Sequence, residues 1–194
     1  EGATPKYFRP ICRGEVSVKT LAPLEADIAR LKPAVAASTA TEGFMSAVSP
    51  GTIAVFQPNE FYSSHAAYIE ALANAMRPEY ERIVKSGLVL QIDCPDLGMG
   101  RHIRFRDADD DEFVRNAHLQ VEALNHAIEG LPADRIRMHI CWGNYEGPHT
   151  RDIPLYKVLP ALYQAKPMGL LIEGGNPRHE HERELIRTQK SPAE

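Results

Sequence analysis

Three positions in the second half of the chain carry the side chain types that hold a transition-metal ion. His139 and Cys141 lie two residues apart in the run Arg135-Ile136-Arg137-Met138-His139-Ile140-Cys141, which reads as a β-strand. Alternate residues of a strand face the same side, so imidazole and thiol project together. The next apolar run, Met168 to Ile172, ends in Glu173. Neighbouring strands lie about 4.8 Å apart, which lets the three groups converge on one point. Nitrogen, sulfur and oxygen donors meeting there suit Zn²⁺, which takes all three kinds. The pair alone is weak, because a free cysteine is often just a small buried hydrophobe. Glu173 strengthens the case: a carboxylate closing an apolar strand has no packing role, and buried charges are generally paired or bound to metals.

Asp93 repeats the pattern one strand earlier, ending Leu88-Val89-Leu90-Gln91-Ile92. A carboxylate at that position can bind a substrate ammonium, or can cap the turn that follows. Trp142-Gly143-Asn144-Tyr145 comes next to the metal strand and either walls a pocket or serves as a plain loop. His179 and His181 resemble a metal tract, but at that spacing on a helix start they point apart, and a solvated face is expected.

The elements that must position these groups alternate in type. A weak strand is expected at Glu15 to Lys19 and a helix at Pro23 to Ala36. A short strand at Phe44 to Val48 ends in a Ser49-Pro50-Gly51 turn. A long helix from about Ser64 to Ser86 should kink or split at Pro78, and Gly87 closes it. Leu88 to Ile92 reads as a strand covered on both faces. Asp109 and Glu112 form a capping-box pair before a helix with Phe113, Ala117, Val121, Leu124 and Ile128 on one side. A helix at Ile153 to Ala165 precedes the Glu173 strand, and from Arg178 the chain is a charged helical start. Residues 183–194 read as a loose tail.

Strands separated by helices imply βαβ units and a parallel sheet. The fold class is α/β, a (β/α)₈ TIM-type barrel present as a partial barrel of about five βα units, with residues 1–194 as one domain. A complete barrel typically needs about 250 residues, and this chain has 194. No Gly-rich phosphate loop opens a helix, which argues against a dinucleotide fold.

A content of 43% hydrophobic and 25% charged residues suits a globular protein with its own core. The formal charge of −4, with no basic stripe, disfavours nucleic acid as a partner. No apolar run approaches the ~20 residues of a membrane span. Three scattered cysteines, Cys12, Cys94 and Cys141, make no disulfide framework, so a reduced, cytoplasmic setting is expected.

Gln91-Ile92-Asp93-Cys94-Pro95 and His139-Ile140-Cys141-Trp142-Gly143-Asn144 resemble two strand ends of the cobalamin-independent methionine synthase family, and Glu173 matches its third zinc ligand. The likeness is greater to the single-barrel homologues, over segments similar to Cys141 to Pro154 and Glu173 to Glu182. It implies the catalytic C-terminal barrel and a Zn²⁺ held by His139, Cys141 and Glu173. It also implies an Asp93 that binds the acceptor's amino group. The implied reaction moves a methyl group from a methylated folate-type donor to a homocysteine-like thiol. The resemblance further implies barrel strands before Glu1 and a fourth, cysteine ligand after Glu194, so missing segments or a second copy would complete the barrel. Cys94 stands where the larger synthases have glutamate. The alternatives are transfer of an alkyl group to another small thiol, and a non-catalytic barrel subunit with an incomplete metal site. A decarboxylase on the related barrel needs no zinc and fits these residues less well.

Overall fold

The computed structural model describes residues 9–144, 149–175 and 177–188. Helix α1 spans Ala22–Ala36, with Pro23 in its first turn, and β1 spans Phe44–Val48. Ser49 is a helix cap rather than a turn: its hydroxyl accepts from the Thr52 N–H and starts α2, Pro50–Phe56. Pro50 loses nothing there, because a first-turn N–H has no partner inside the helix. Ser64 caps α3, His65–Lys85, in the same way. Gly87, with φ of +89°, turns the chain into β2, Val89–Asp93. A single turn at Pro95–Leu97 and the short α4, Gly100–Ile103, follow. Asp109 accepts from the Glu112 N–H at 2.7 Å and opens α5, Asp110–Ala127. Then come β3 (Ile136–Ile140), α6 (Leu155–Leu162), β4 (Gly169–Ile172) and α7 (Arg183–Thr188).

The four strands pair in parallel in the order β1-β2-β3-β4. The architecture is α/β, compatible with part of a barrel. One sheet face carries Leu90, Ile92, Ile136, Met138 and Ile140, none more than 2% exposed. These pack with Tyr80 and Ile83 of α3 and with Phe113, Ala117, Val121 and Leu124 of α5 in a single core. Each Leu, Ile, Val, Met and Phe among them contributes roughly 1.5–3 kcal/mol of burial. The opposite face bears Gln91, Asp93, Arg137 and His139, all part-exposed.

Three expectations are corrected. Among the described residues there are four paired strands rather than about five, because Glu15 to Lys19 forms none. Instead Cys12 makes an isolated bridge with Asn59, and the Val16 N–H donates to the Tyr62 hydroxyl at 2.8 Å. Only two valines alternate there among charged neighbours, too little apolar surface to hold a strand in a sheet. Of the two outcomes expected at Pro78, the split does not occur: α3 runs through it as one helix. Tyr68, Ile69, Leu72 and Ala73 are buried before the proline, and Tyr80 and Ile83 after it. Their combined burial outweighs the ~3 kcal/mol a helix-interior proline costs. The β2 strand is covered on one face only, since Gln91 and Asp93 are part-exposed. No described helix is long and apolar enough to cross a membrane.

Candidate functional site

Parallel register lays the open face out in rows. Ser46, Gln91, Arg137 and Gly169 are successive partners across the sheet, and one row further on come Val48, Asp93, His139 and Leu171. Cys141 and Glu173 each stand one residue past the last paired positions, Ile140 and Ile172. The predicted groups therefore occupy the C-terminal ends of three adjacent strands.

Hydrogen bonds run along this surface. Arg137 Nε–H donates to Gln91 Oε1 at 2.9 Å, and Gln91 Nε2 donates to Asp93 Oδ1 at 3.1 Å. His139 Nδ1 then lies 3.3 Å from the same Asp93 oxygen. The Arg137 guanidinium also sits 4.1 Å from the Phe44 ring centroid. Gly169 is required beside it, because a Cβ there would meet Arg137 Cβ at 2.8 Å.

The Cys141 backbone is held from the β2 side. Cys94 N–H donates to the His139 carbonyl at 2.8 Å, and Met99 N–H to the Cys141 carbonyl at 3.1 Å. A Cβ at Gly98 would lie 2.5 Å from that carbonyl oxygen, so only glycine permits the approach. Burial pushes the Cys141 thiol up, and the charges of Glu173, Asp93 and Asp96 push it further, against a backbone hydrogen bond involving Gly143. The thiol thus shares one electrostatic neighbourhood with both strand-end carboxylates. His139, Cys141 and Glu173 do not, however, all bring ligand atoms within 4.8 Å of one another. Cys94 is fully buried in the apolar core, away from the open face.

Beneath these strand ends Asp96 is 1% exposed. The hydroxyls of Ser49 and Thr52 donate to its Oδ1 at 2.6 and 2.8 Å. Burial raises its pKa to about 6, against the lowering effect of those two donors.

A second polar assembly was not expected from the sequence. His102, His149 and Asp152 form a group whose ligand atoms lie within 4.8 Å of one another and could hold a metal ion. His179, expected on a solvated face, is 5% exposed. Its ring stacks on Trp142 with centroids 4.0 Å apart, and its Nε2 lies 2.9 Å from Asp152 Oδ2. The tertiary reason is Trp142, whose indole N–H donates to the Ile153 carbonyl at 2.9 Å and leaves a ring face for His179. Trp142 lines a cavity of about 430 Å³ with Met99, His102 and Arg106. Tyr145 lies outside the described residues.

No family model matches the chain. It is 34% identical over 131 residues to the methionine synthase of Saccharolobus solfataricus, a match covering 65% of this chain and 35% of that protein. It is 32% identical over 127 residues to the methionine synthase of Saccharolobus islandicus, covering 63% and 34%. With the methionine synthase of Sulfurisphaera tokodaii it shares 27% over 97 residues, 50% and 25% of the two chains. The chain spans about a third of the length of the curated relatives it matches. These similarities are consistent with the cobalamin-independent methionine synthase-like family.

Proposed function

We propose that the chain is the metal-bearing part of a methyltransferase of the methionine synthase kind, which moves a methyl group from a methylated folate-type donor to a homocysteine-like thiol. The observation that supports this most is the placement of Asp93, His139, Cys141 and Glu173 at neighbouring parallel strand ends. The relatives' name, methionine synthase, agrees with a role in making methionine.

In this reading His139, Cys141 and Glu173 hold Zn²⁺. The donor set fits: one imidazole, one thiol and one carboxylate are all ordinary zinc ligands, and the thiol lies where three carboxylate charges, Glu173's among them, act on it. His139 and Asp93 have side chains 31% and 35% exposed, so they have room to change rotamer. Zn²⁺ bound there supplies the positive charge that lowers a thiol's pKa into the neutral range.

The chain's own residues supply position. Asp93 accepts from the acceptor's ammonium, a charge-assisted bond stronger than a neutral one. Gln91, tied to Arg137, fixes the Asp93 carboxylate from the side. One observation favours a second role for Asp93: His139 Nδ1 faces it at 3.3 Å. A carboxylate that accepts a hydrogen bond from Nδ1–H leaves the Nε2 lone pair for a metal and orients the ring. Asp93 then serves the metal shell rather than the acceptor.

The test is transfer of labelled methyl to homocysteine by the chain extended at both ends with its relatives' flanking sequence. Labelled product is expected. Cys141→Ser should reduce it by more than roughly 100-fold, beyond the 10–100-fold typical of residues that merely orient a ligand. Turnover indifferent to Cys141→Ser would overturn the proposal.

A further inference from the structure

Five titratable side chains meet where the segments after β2 and β3 and the turn before α7 come together. Asp152 is their centre. His102 Nε2 contacts its Oδ1, His149 Nδ1 lies 3.0 and 2.9 Å from its two oxygens, and His179 Nε2 lies 2.9 Å from Oδ2. On its other side His179 Nδ1 lies 2.8 Å from Glu182 Oε2, and Glu182 Oε1 accepts from the Leu155 N–H at 2.7 Å. The side chains of Asp152, His149, His179 and Glu182 are 5–11% exposed, and that of His102 is 25%.

A carboxylate has room for several donors, so hydrogen bonding alone explains each contact. It does not explain why two of the three imidazoles, His102 and His149, line a cavity of about 430 Å³. Ligand atoms of those two residues and Asp152 fall within 4.8 Å of one another. Donors bound about 2.0–2.2 Å from one ion stand roughly 3–4 Å apart, so small shifts seat a cation between them.

We propose that His102, His149 and Asp152 form a second cation site, separate from the strand-end groups, for a first-row divalent ion such as Co²⁺ or Zn²⁺. Two imidazoles and one carboxylate, with no thiolate, suit such ions better than Mg²⁺ or Ca²⁺, which prefer oxygen. The cavity supplies an entry path and space for water in the remaining coordination positions. Asp152 uses one oxygen for the ion, and His179 holds the other. Glu182 fixes His179 and is itself tied to the start of α6. Ligating carboxylates are ordinarily held by such an outer layer, and its loss costs about 10–100-fold in metal affinity. Trp142, stacked on His179, follows Cys141 directly in sequence, so the two proposed sites share a loop but no ligand.

Co²⁺ binding to the 194-residue chain tests this independently of the strand-end site, because only that site contains a thiol. In Cys141→Ser the chain should still take up one Co²⁺, with ligand-field bands and no sulfur-to-cobalt charge-transfer band. Adding His102→Ala should abolish that uptake. Glu182→Gln, which keeps an acceptor for the Leu155 N–H, should weaken it about 10–100-fold. Circular dichroism accompanies each variant; if His102→Ala unfolds, His102→Phe keeps the ring volume and removes the ligand nitrogen. Failure of Cys141→Ser to bind Co²⁺, or binding indifferent to both His102 changes, overturns the second site. Loss of the charge-transfer band in the parent chain would instead count against the strand-end site alone.

Discussion

Asp96 sits fully buried under the strand ends, with its carboxyl raised to about 6 by burial. An acid whose folded pKa exceeds its unfolded value of about 3.9 binds its proton more tightly in the native state. Stability then falls as pH rises from about 4 through 6 and levels off above that range. The expected loss from this group is about 3 kcal/mol. Urea unfolding across pH 4–7 should show it, and Asp96→Asn should flatten the profile over that window. Asp93→Asn tests a different assignment. Acceptor affinity of the extended chain should fall more than its zinc content, by roughly 10-fold, the cost of a charge-assisted bond. If zinc falls and acceptor affinity holds, Asp93 belongs to the metal shell. The placement of His139, Cys141, Glu173 and Asp93 at or beside strand ends was legible in the sequence, because the pattern of each strand is local. The grouping of His102, His149, Asp152 and His179 was not, because they come together from a short helix and loops up to 77 residues apart. Trp142, Asp152 and Glu182, all distant in sequence or outside any regular pattern, together enclose the His179 ring.

Tyr80 joins α3 to the sheet: its hydroxyl donates to the Val48 carbonyl at 2.5 Å, and the ring is wholly buried. Tyr80→Phe keeps the ring and strands that carbonyl, so a loss of about 1–3 kcal/mol is expected in denaturant unfolding. At the other edge, Gly169→Ala places a Cβ 2.8 Å from Arg137 Cβ. We expect about 1–3 kcal/mol of destabilisation from that overpacking. Co²⁺ affinity should also weaken, since β4 carries Glu173. Unchanged values for both would show that β4 shifts freely and positions nothing. Helix starts were the easiest elements to read, since Asp109 and Ser64 cap where the pattern changes. The start of α2 was missed although Ser49-Pro50 carries a cap-plus-proline signal; the run after it is only seven residues long. Pro78 does not split α3, because propensity is local and the burial that overrides it comes from β-strands and α5.

Across the whole molecule, one face of the sheet is packed and the other is half-open. Among the described residues no further strand pairs with the outer edge of β1 or β4, and Phe44, Val48 and Leu171 are exposed by 36–47%. Unpaired edges and exposed apolar residues favour pairing with more strands. The 194-residue chain should therefore self-associate in analytical ultracentrifugation, and an extension with the relatives' flanking sequence should suppress it. A concentration-independent monomer would mean that the open face is stable in water. The alternation of strands and helices predicted the parallel sheet correctly. The proposed strand-end metal site depends most on Cys141. Co²⁺ added to the chain should produce a sulfur-to-cobalt charge-transfer band that Cys141→Ser abolishes and Cys12→Ser leaves intact; absence of the band, or its survival in Cys141→Ser, would contradict the account.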